Sequence, residues 1–267
     1  MIEMTETLNA AQPENASPMF SGEATGYNAT RKEVIGDCVL YQGDCAVILP
    51  QLPNFDLILT DPPYGLGDKH NGGGGGAKST WKHNQSEAKS FDMSRPSLQV
   101  FQMLNGSAKN MIIWGGNYFA DLLPPKMGWL VWDKGLTGFS TSDFEMAWTS
   151  RDFAARRLLY HCGNERGFAP KSKEPRKFIN SHPTQKPTKL MEWCLDFFPE
   201  SLTVCDPFMG SGTTGIACVR QGKHFVGIER DPKYFDISCE RIATAIRNRP
   251  RLFDAVKENV PNQESLF

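Results

Sequence analysis

Phe55-Asp56-Leu57-Ile58-Leu59-Thr60-Asp61-Pro62-Pro63-Tyr64-Gly65 is the stretch on which the reading of the whole chain turns. Phe55 to Leu59, apolar apart from Asp56, is too short for a helix with its own buried face, so it reads as an interior strand of a parallel sheet. Pro62 and Pro63 end it, because neither donates a ladder hydrogen bond and both fix φ. Asp61 and Tyr64 are thereby held at the strand's C-terminal edge, where open α/β sheets place ligands. Asp61 and the carbonyl of Pro62 offer two acceptors, and Tyr64 offers a flat face. Such a cluster suits a planar group with two N–H donors, as on the exocyclic amine of a nucleobase. For the tetrapeptide alone, a proline-rich turn closing a core strand is the plainer alternative.

Upstream, residues 1–32 are polar and without periodicity and read as a flexible tail. Glu33 to Gln42 alternates around Gly36-Asp37 as a hairpin does, leading to Gly43-Asp44 and a short helix over Ala46 to Leu52 with Asp44 as cap. Downstream, residues 65–97 form a polar, glycine-rich stretch far longer than ordinary connections, read as a lid-like loop or as an insertion without a role. Leu98 to Leu104 then reads as helix and Asn110 to Trp114 as strand. Gly115 to Phe119 reads as a turn into a helix ending near Pro124. Trp129 to Trp132, Phe144 to Trp148 and Leu158 to Tyr160 are three further strands.

From Arg151 to Lys189 there are ten lysines and arginines against three acids, a local excess of +7 in a chain whose net charge is −1. That excess marks residues 150–181 as a candidate face for tracking nucleic-acid phosphates, with Arg156, Arg157, Lys171, Lys173, Arg176 and Lys177 as phosphate contacts. A solvated basic loop is the alternative, and no zinc-finger or helix-turn-helix spacing is present.

The second half of the site follows a helix over Thr188 to Phe198. Leu202-Thr203-Val204-Cys205-Asp206-Pro207-Phe208-Met209-Gly210-Ser211-Gly212-Thr213-Thr214-Gly215 is a strand breaking into a glycine turn that opens a helix. Such a turn lets backbone approach a ligand, and the helix start presents free N–H groups to an anion. The next strand, His224 to Ile228, ends in Glu229, an acid suited to the two hydroxyls of a ribose. Gly210, Gly212, Gly215 and Glu229 also satisfy a dinucleotide-binding fingerprint, which makes an NAD-dependent oxidoreductase a rival. Chain position decides against it: the 38 residues after Glu229 hold one helix, Asp231/Pro232 to about Arg247, and a polar tail from residue 250 to 267. The sheet can be completed only by strands earlier in the chain, including the one that carries Asp61.

Composition narrows the class. Hydrophobic residues make up 40% and charged ones 22%, ordinary for a globular α/β domain, here spanning residues 33–249. No apolar run approaches 18 residues and the first residues lack a basic, apolar signal, so no membrane partner and a cytoplasmic location are expected. The seven cysteines form no Cys-x-x-Cys pair and no metal-ligand spacing with the five histidines, so no metal is expected.

Asp61-Pro62-Pro63-Tyr64 resembles the catalytic motif of the DNA amino-methyltransferases, and Asp206-Pro-Phe208-Met-Gly210-Ser-Gly212 resembles their S-adenosylmethionine loop. Thr184-Gln-Lys186-Pro is similar to the element just before that loop, and Gly43-Asp44 to the one before the catalytic strand. The order, catalytic motif first and cofactor motif last, is that of the beta group. Ile113 to Phe119 and Trp129 to Lys134 are similar to members carried by phages and prophages. The absence of a Pro-Cys dipeptide argues against the related cytosine-carbon enzymes, which need a thiol nucleophile.

The resemblance implies a Rossmann-like α/β methyltransferase fold with a mixed, mostly parallel sheet and circularly permuted motif order. It implies transfer of a methyl group from S-adenosylmethionine to adenine N6 in double-stranded DNA, because Asp at the first motif position is usual for adenine enzymes. Cytosine N4 is the alternative, and a non-catalytic nucleic-acid-binding module a more remote one. Asp61, Pro62, Pro63 and Tyr64 are then catalytic, and Asp44, Thr184, Lys186, Asp206, Phe208, Gly210, Gly212, Thr213 and Glu229 hold the cofactor. For Asp44 a helix cap alone remains open, as does membership of Lys186 in the basic region. A homodimer and a restriction endonuclease partner stay open too.

Overall fold

The computed structural model describes residues 28–66, 94–135, 142–161 and 185–249. Nine strands form one sheet: Arg31–Ile35 (β1), Cys38–Gln42 (β2), Phe55–Thr60 (β3), Ala108–Trp114 (β4), Trp129–Asp133 (β5), Phe144–Thr149 (β6), Arg156–Leu159 (β7), Thr203–Asp206 (β8) and His224–Glu229 (β9). Their order across the sheet is β1-β2-β9-β8-β3-β4-β6-β5-β7. The interior ladders β2/β9, β9/β8, β8/β3 and β3/β4 are all parallel, whereas β1/β2, β4/β6 and β6/β5 are antiparallel. The sheet is mixed and mostly parallel, as the sequence implies.

Five helices are described: Cys45–Ile48 (α1), Leu98–Ser107 (α2), Thr188–Leu195 (α3), Thr213–Gln221 (α4) and Pro232–Arg247 (α5). Alternation along the strands assigns them to the two faces. Leu57, Leu59, Ile112 and Trp114 share a core with Leu190 and Met191 of α3, Ile216 of α4 and Phe235 of α5. Ile58, Met111, Ile113 and Val226 pack instead with Cys45 and Ile48 of α1 and Phe101 and Leu104 of α2.

This topology fixes where a ligand goes. The crossover from β3 through α2 runs to β4 on one side, and the crossover from β8 through α4 runs to β9 on the other. Adjacent strands β8 and β3 are therefore the point at which the winding reverses, where open α/β sheets part to form a crevice. Their register, Leu57 beside Val204 and Ile58 beside Cys205, brings the ends bearing Asp61 and Asp206 to the same rim. Asp56 locks it from the other end, accepting from the backbone N–H of Leu202 and of Thr203 at 3.1 and 3.0 Å and from the Thr203 hydroxyl at 3.0 Å. Burial works against its charge, yet the Lys109 ammonium and these donors hold its pKa down at about 2.

Several boundaries differ from the sequence reading. β1 begins at Arg31, inside the expected tail, because Arg31 pairs with Gln42 across the hairpin and its guanidinium reaches Asp236 of α5 at 2.7 Å. The expected helix over Ala46 to Leu52 divides into α1 and a 3-10 turn at Leu49–Gln51, where Pro50 interrupts the ladder. After β4, only a 3-10 turn at Gly116–Phe119 forms in place of the expected helix. Gly115 enters it with a left-handed φ of 67°, and the amides of Leu122 and Leu123 both close back on the Phe119 carbonyl. The strand expected at Leu158 to Tyr160 lies at Arg156–Leu159, in register with Leu130 to Asp133. Most of the expected lid-like loop, basic insertion and N-terminal tail, and the whole of the C-terminal tail, lie outside the described residues.

Candidate active site

At the shared rim, the β3 and β8 ends are joined directly. The Thr60 hydroxyl donates to Asp206 Oδ1 at 2.6 Å, and the Thr214 hydroxyl donates to Asp206 Oδ2 at 2.6 Å. Burial pushes Asp206 up to about 6 against the pull of those hydroxyls. Asp206 therefore braces the glycine turn from beneath, and it is buried at 4% exposure. The turn is held from behind by Arg241 of α5, whose buried Nη1 donates to the Ser211 carbonyl at 2.7 Å, its hydroxyl at 2.9 Å and the Thr213 hydroxyl at 3.3 Å. Gly210 and Gly212 take left-handed φ of 51° and 78°, a conformation that favours glycine.

Beside the turn lies a cavity of about 500 Å³ whose walls include Gly43, Asp44, Pro63, Arg95, Phe208 and Glu229. That volume is in the range of sites for a molecule the size of a modified nucleoside. Glu229 stands at the C-terminal end of β9, accepting from the Gly210 amide at 2.9 Å and the Asp231 amide at 2.7 Å. Burial raises its pKa to about 7, with the two amides pulling the other way. Asp44 is both things the sequence allowed: its side chain caps α1 by accepting from the Ala46 amide at 2.8 Å, and it lines the cavity.

On the other side of Pro63 sits the acid itself. Asp61 Oδ1 accepts from the Tyr64 hydroxyl at 2.5 Å, and Oδ2 takes the Lys186 ammonium at 2.5 Å. Burial raises the Asp61 pKa and Lys186 opposes it. Lys186 also lies 3.0 Å from Glu145 Oε2, and Lys134 lies 2.8 Å from Glu145 Oε1. The result is an alternating chain of charge, Asp61, Lys186, Glu145, Lys134, at the mouth of the switch point. Tyr64 stacks on Tyr118 with ring centres 4.7 Å apart and packs directly over Gly115, where any Cβ would strike its ring. Arg95 ties the segment leading into α2 to this aromatic pair, donating to the Tyr118 carbonyl at 3.0 Å and to Asp121 Oδ1 at 2.8 Å.

Of the residues singled out in the sequence, the structure brings Asp61, Pro62, Pro63, Tyr64 and Lys186 together on one side. Asp44, Phe208, Gly210, Gly212, Thr213 and Glu229 gather around the cavity and its turn on the other, with Asp206 buried beneath the turn. Lys186, expected to hold the cofactor or to belong to the basic region, has its ammonium against Asp61 and Glu145, because the segment entering α3 passes the start of β6. Arg156 and Arg157 are exposed on the edge strand β7, Arg157 3.5 Å from Asp133. Thr184, Lys171, Lys173, Arg176 and Lys177 lie outside the described residues.

Glu145, Lys134, Tyr118 and Arg241 were not read from the sequence. A lone acid in the apolar strand Phe144–Thr149 was the one available signal for Glu145. Burial pushes the Cys38 and Cys45 thiols up to about 12, which keeps both protonated. Among the described residues, no group of three metal-ligating side chains is found, and no helix is long and apolar enough to cross a membrane.

Residues 131–240 match the family model described as DNA methylase; that span holds Lys186, the glycine turn and Glu229, while Asp61 precedes it. The chain is 24% identical over 242 residues to the Type II methyltransferase M2.LlaDCHI of Lactococcus lactis subsp. cremoris, covering 77% of this chain and 89% of that protein. It is 40% identical over 72 residues to the Type II methyltransferase M2.DpnII of Streptococcus pneumoniae, 27% of either chain. Among solved structures, the cytosine-N4-specific PvuII DNA methyltransferase aligns with a TM-score of 0.50 at 15% identity, over 82% of this chain and 95% of that one, a likeness of fold.

Proposed function

We propose that this chain, a member of the N6/N4 DNA amino-methyltransferases, transfers the methyl group of S-adenosylmethionine to the exocyclic N6 amine of adenine in DNA. The observation that carries the reading is the juxtaposition at the β3/β8 switch point. Pro63 is the common wall between a nucleoside-sized cavity and the Asp61 carboxylate.

S-adenosylmethionine fits the cavity by the chemistry of its walls. Glu229 offers a carboxylate, already oriented by two amides, to the ribose hydroxyls, and Phe208 and Pro63 offer apolar surface to a flat base. When bound, the cofactor supplies a methyl carbon made electrophilic by its sulfonium. The carboxylate of Glu229 accepts hydroxyl hydrogen bonds best when ionised. Its folded-state pKa, about 7, is raised above the ordinary value of 4.5, so the free protein binds this proton more tightly than the unfolded chain does. Its contribution to folding stability accordingly falls as pH rises from about 4.5 through about 7. Cofactor affinity runs the other way, strengthening by up to about tenfold per pH unit below 7 and levelling off above it. Calorimetric titration between pH 5.5 and 8.5 should show this slope, and Glu229→Gln should flatten it. A flat profile in the unaltered protein would remove Glu229 from the cofactor site.

The target amine lies inside the duplex, so the base must be extruded, at a cost of a few kcal/mol. Tyr64 provides the face on which it stacks, and its hydroxyl must leave Asp61 Oδ1 for the amine to take that acceptor. Asp61 and the Pro62 carbonyl then accept the two N–H bonds and aim the nitrogen lone pair at the methyl carbon. As the N–C bond forms and the C–S bond breaks, positive charge grows on nitrogen beside a preorganised carboxylate, which stabilises the transition state. The raised pKa of Asp61 suits it to take the departing proton.

Adenine is favoured by the acid at the first position of the Asp61 motif, a likeness to adenine-modifying members of the beta group. Single-molecule sequencing of DNA from cells that express the protein tests the assignment. N6-methyladenine at a defined motif, absent when the Asp61→Ala variant is expressed, is the expected result. N4-methylcytosine would replace adenine by cytosine, and unmodified DNA would overturn the function itself.

A further inference from the structure

We propose that Glu145 of β6 is a positioning residue for methyl transfer: paired outward with Lys134, it shares the Lys186 ammonium with Asp61 and so leaves the Asp61 carboxylate available to the target amine. The inference rests on the function proposed above and names a part of that site.

The geometry is a chain of four charges whose order matters. Lys186 bridges two carboxylates, 2.5 Å from Asp61 Oδ2 and 3.0 Å from Glu145 Oε2, and its side chain is only 6% exposed. A buried ammonium paired with a single carboxylate would hold that carboxylate as a closed ion pair, a poor acceptor for an incoming amine. Glu145 divides the pull. Glu145 would itself be costly to bury as an anion, and Lys134 at 2.8 Å, 14% exposed at the rim, offsets that cost. The three residues come from separate elements: Lys134 follows β5, Glu145 lies on β6, and Lys186 precedes α3. Only the antiparallel insertion of β6 between β4 and β5 brings them onto Asp61.

The electrostatics agree with the geometry. Burial opposes the charge of Glu145, yet Lys186 and Lys134 hold it down at about 2, so it is an anion throughout the working range. As an anion it raises the Asp61 pKa, while Lys186 lowers it. The other groups facing Asp61 are the Tyr64 hydroxyl, protonated well beyond neutral pH, and the Asp206 carboxylate beneath the rim. Trp114 lies behind Lys186, with its ring centre 5.9 Å from the ammonium.

Two substitutions separate this role from simple support of the fold, because they displace the acid limb of the pH profile in opposite directions. In Glu145→Gln the side chain keeps its shape but loses its charge, so Lys186 falls wholly to Asp61. The acid limb of kcat should move to lower pH, and kcat at its plateau should fall roughly 10- to 100-fold. In Lys134→Gln, Glu145 draws Lys186 toward itself, and the limb should move to higher pH. Dissociation constants for S-adenosylmethionine should stay within about twofold in both, since neither residue lines the cavity.

Single-turnover transfer of labelled methyl to DNA across pH, with calorimetric cofactor titration and thermal unfolding of each variant, makes the comparison. An unmoved limb with unchanged kcat in Glu145→Gln overturns the inference, as does a loss explained wholly by a lowered Tm, or limbs moving together in the two variants. Absence of methyl transfer by the unaltered protein would instead overturn the function on which the inference rests.

Discussion

Asp61→Asn is expected to slow methyl transfer by about 10²- to 10⁴-fold while leaving the dissociation constant for S-adenosylmethionine within about twofold. The substitution preserves shape, and the cavity is walled by Pro63 and not by Asp61, so the cofactor meets an unchanged surface. What changes is the far side of that wall. One carboxylate oxygen becomes an amide NH2, which cannot accept from the target amine and cannot receive the Lys186 ammonium now 2.5 Å away. Lys186 retains Glu145, so the buried cation keeps a partner and the fold should lose little. The Tyr64 hydroxyl loses a charged acceptor, and the nitrogen loses the anion that stabilises its growing charge. Labelled-methyl transfer under single turnover, read beside calorimetry, gives the split. Retained turnover would remove Asp61 from catalysis, and a parallel loss of cofactor affinity would mean that the two halves of the site are one.

Much of this arrangement could be read from the chain because its main pieces are local. The apolar run Phe55 to Leu59, the two prolines that stop it and the glycine turn that follows Thr203–Asp206 each announce themselves within a dozen residues. The placement of Asp61 and Asp206 on one rim also followed from the order of the motifs, and the parallel register of β3 beside β8 bears it out. The helix cap at Asp44 was equally local, and the structure adds that the same residue faces the cavity.

What could not be read is what depends on strand order. Lys186 was assigned to the cofactor from its neighbours in sequence. Its actual partners, Asp61 and Glu145, are brought to it by β3 and by the insertion of β6 between β4 and β5. Arg241 looks in sequence like a polar position of an amphipathic helix, yet α5 packs that position against the turn, where it serves Ser211 and Thr213. Tyr118 was expected in the turn after β4 with no partner named, and the left-handed Gly115 brings its ring against Tyr64. In each case the pairing residue is distant in sequence, and no local pattern carries it.

Gly212→Val should produce the reverse of the Asp61 result, weakening S-adenosylmethionine binding roughly 100-fold and lowering stability by about 2–4 kcal/mol. Gly212 holds φ at +78°, and a Cβ built there would stand 2.9 Å from the Ser238 Cβ, 3.2 Å from its Cα and 3.3 Å from Ile242 Cδ1. Ser238 and Ile242 are buried residues of α5, so nothing on that side moves without shifting the helix. The same helix carries Arg241, whose guanidinium sets the Ser211 carbonyl and hydroxyl, and the Gly210 amide one residue earlier orients Glu229. A displaced turn therefore disturbs both the backbone and the acid that face the cofactor. Asp61, Tyr64 and Lys186 rest on β3 and the approach to α3 and keep their geometry. At saturating cofactor the variant should thus recover much of its kcat, whereas Asp61→Asn should recover none. Thermal unfolding with and without S-adenosylmethionine separates the two costs: the free protein reads the strain, and the loss of the cofactor-induced rise in Tm reads the site. Gly212→Ala, with the same φ penalty and a smaller side chain, should fall between. Full cofactor-induced stabilisation in either variant would mean that the glycine turn does not hold the cofactor, whatever its likeness to turns that do.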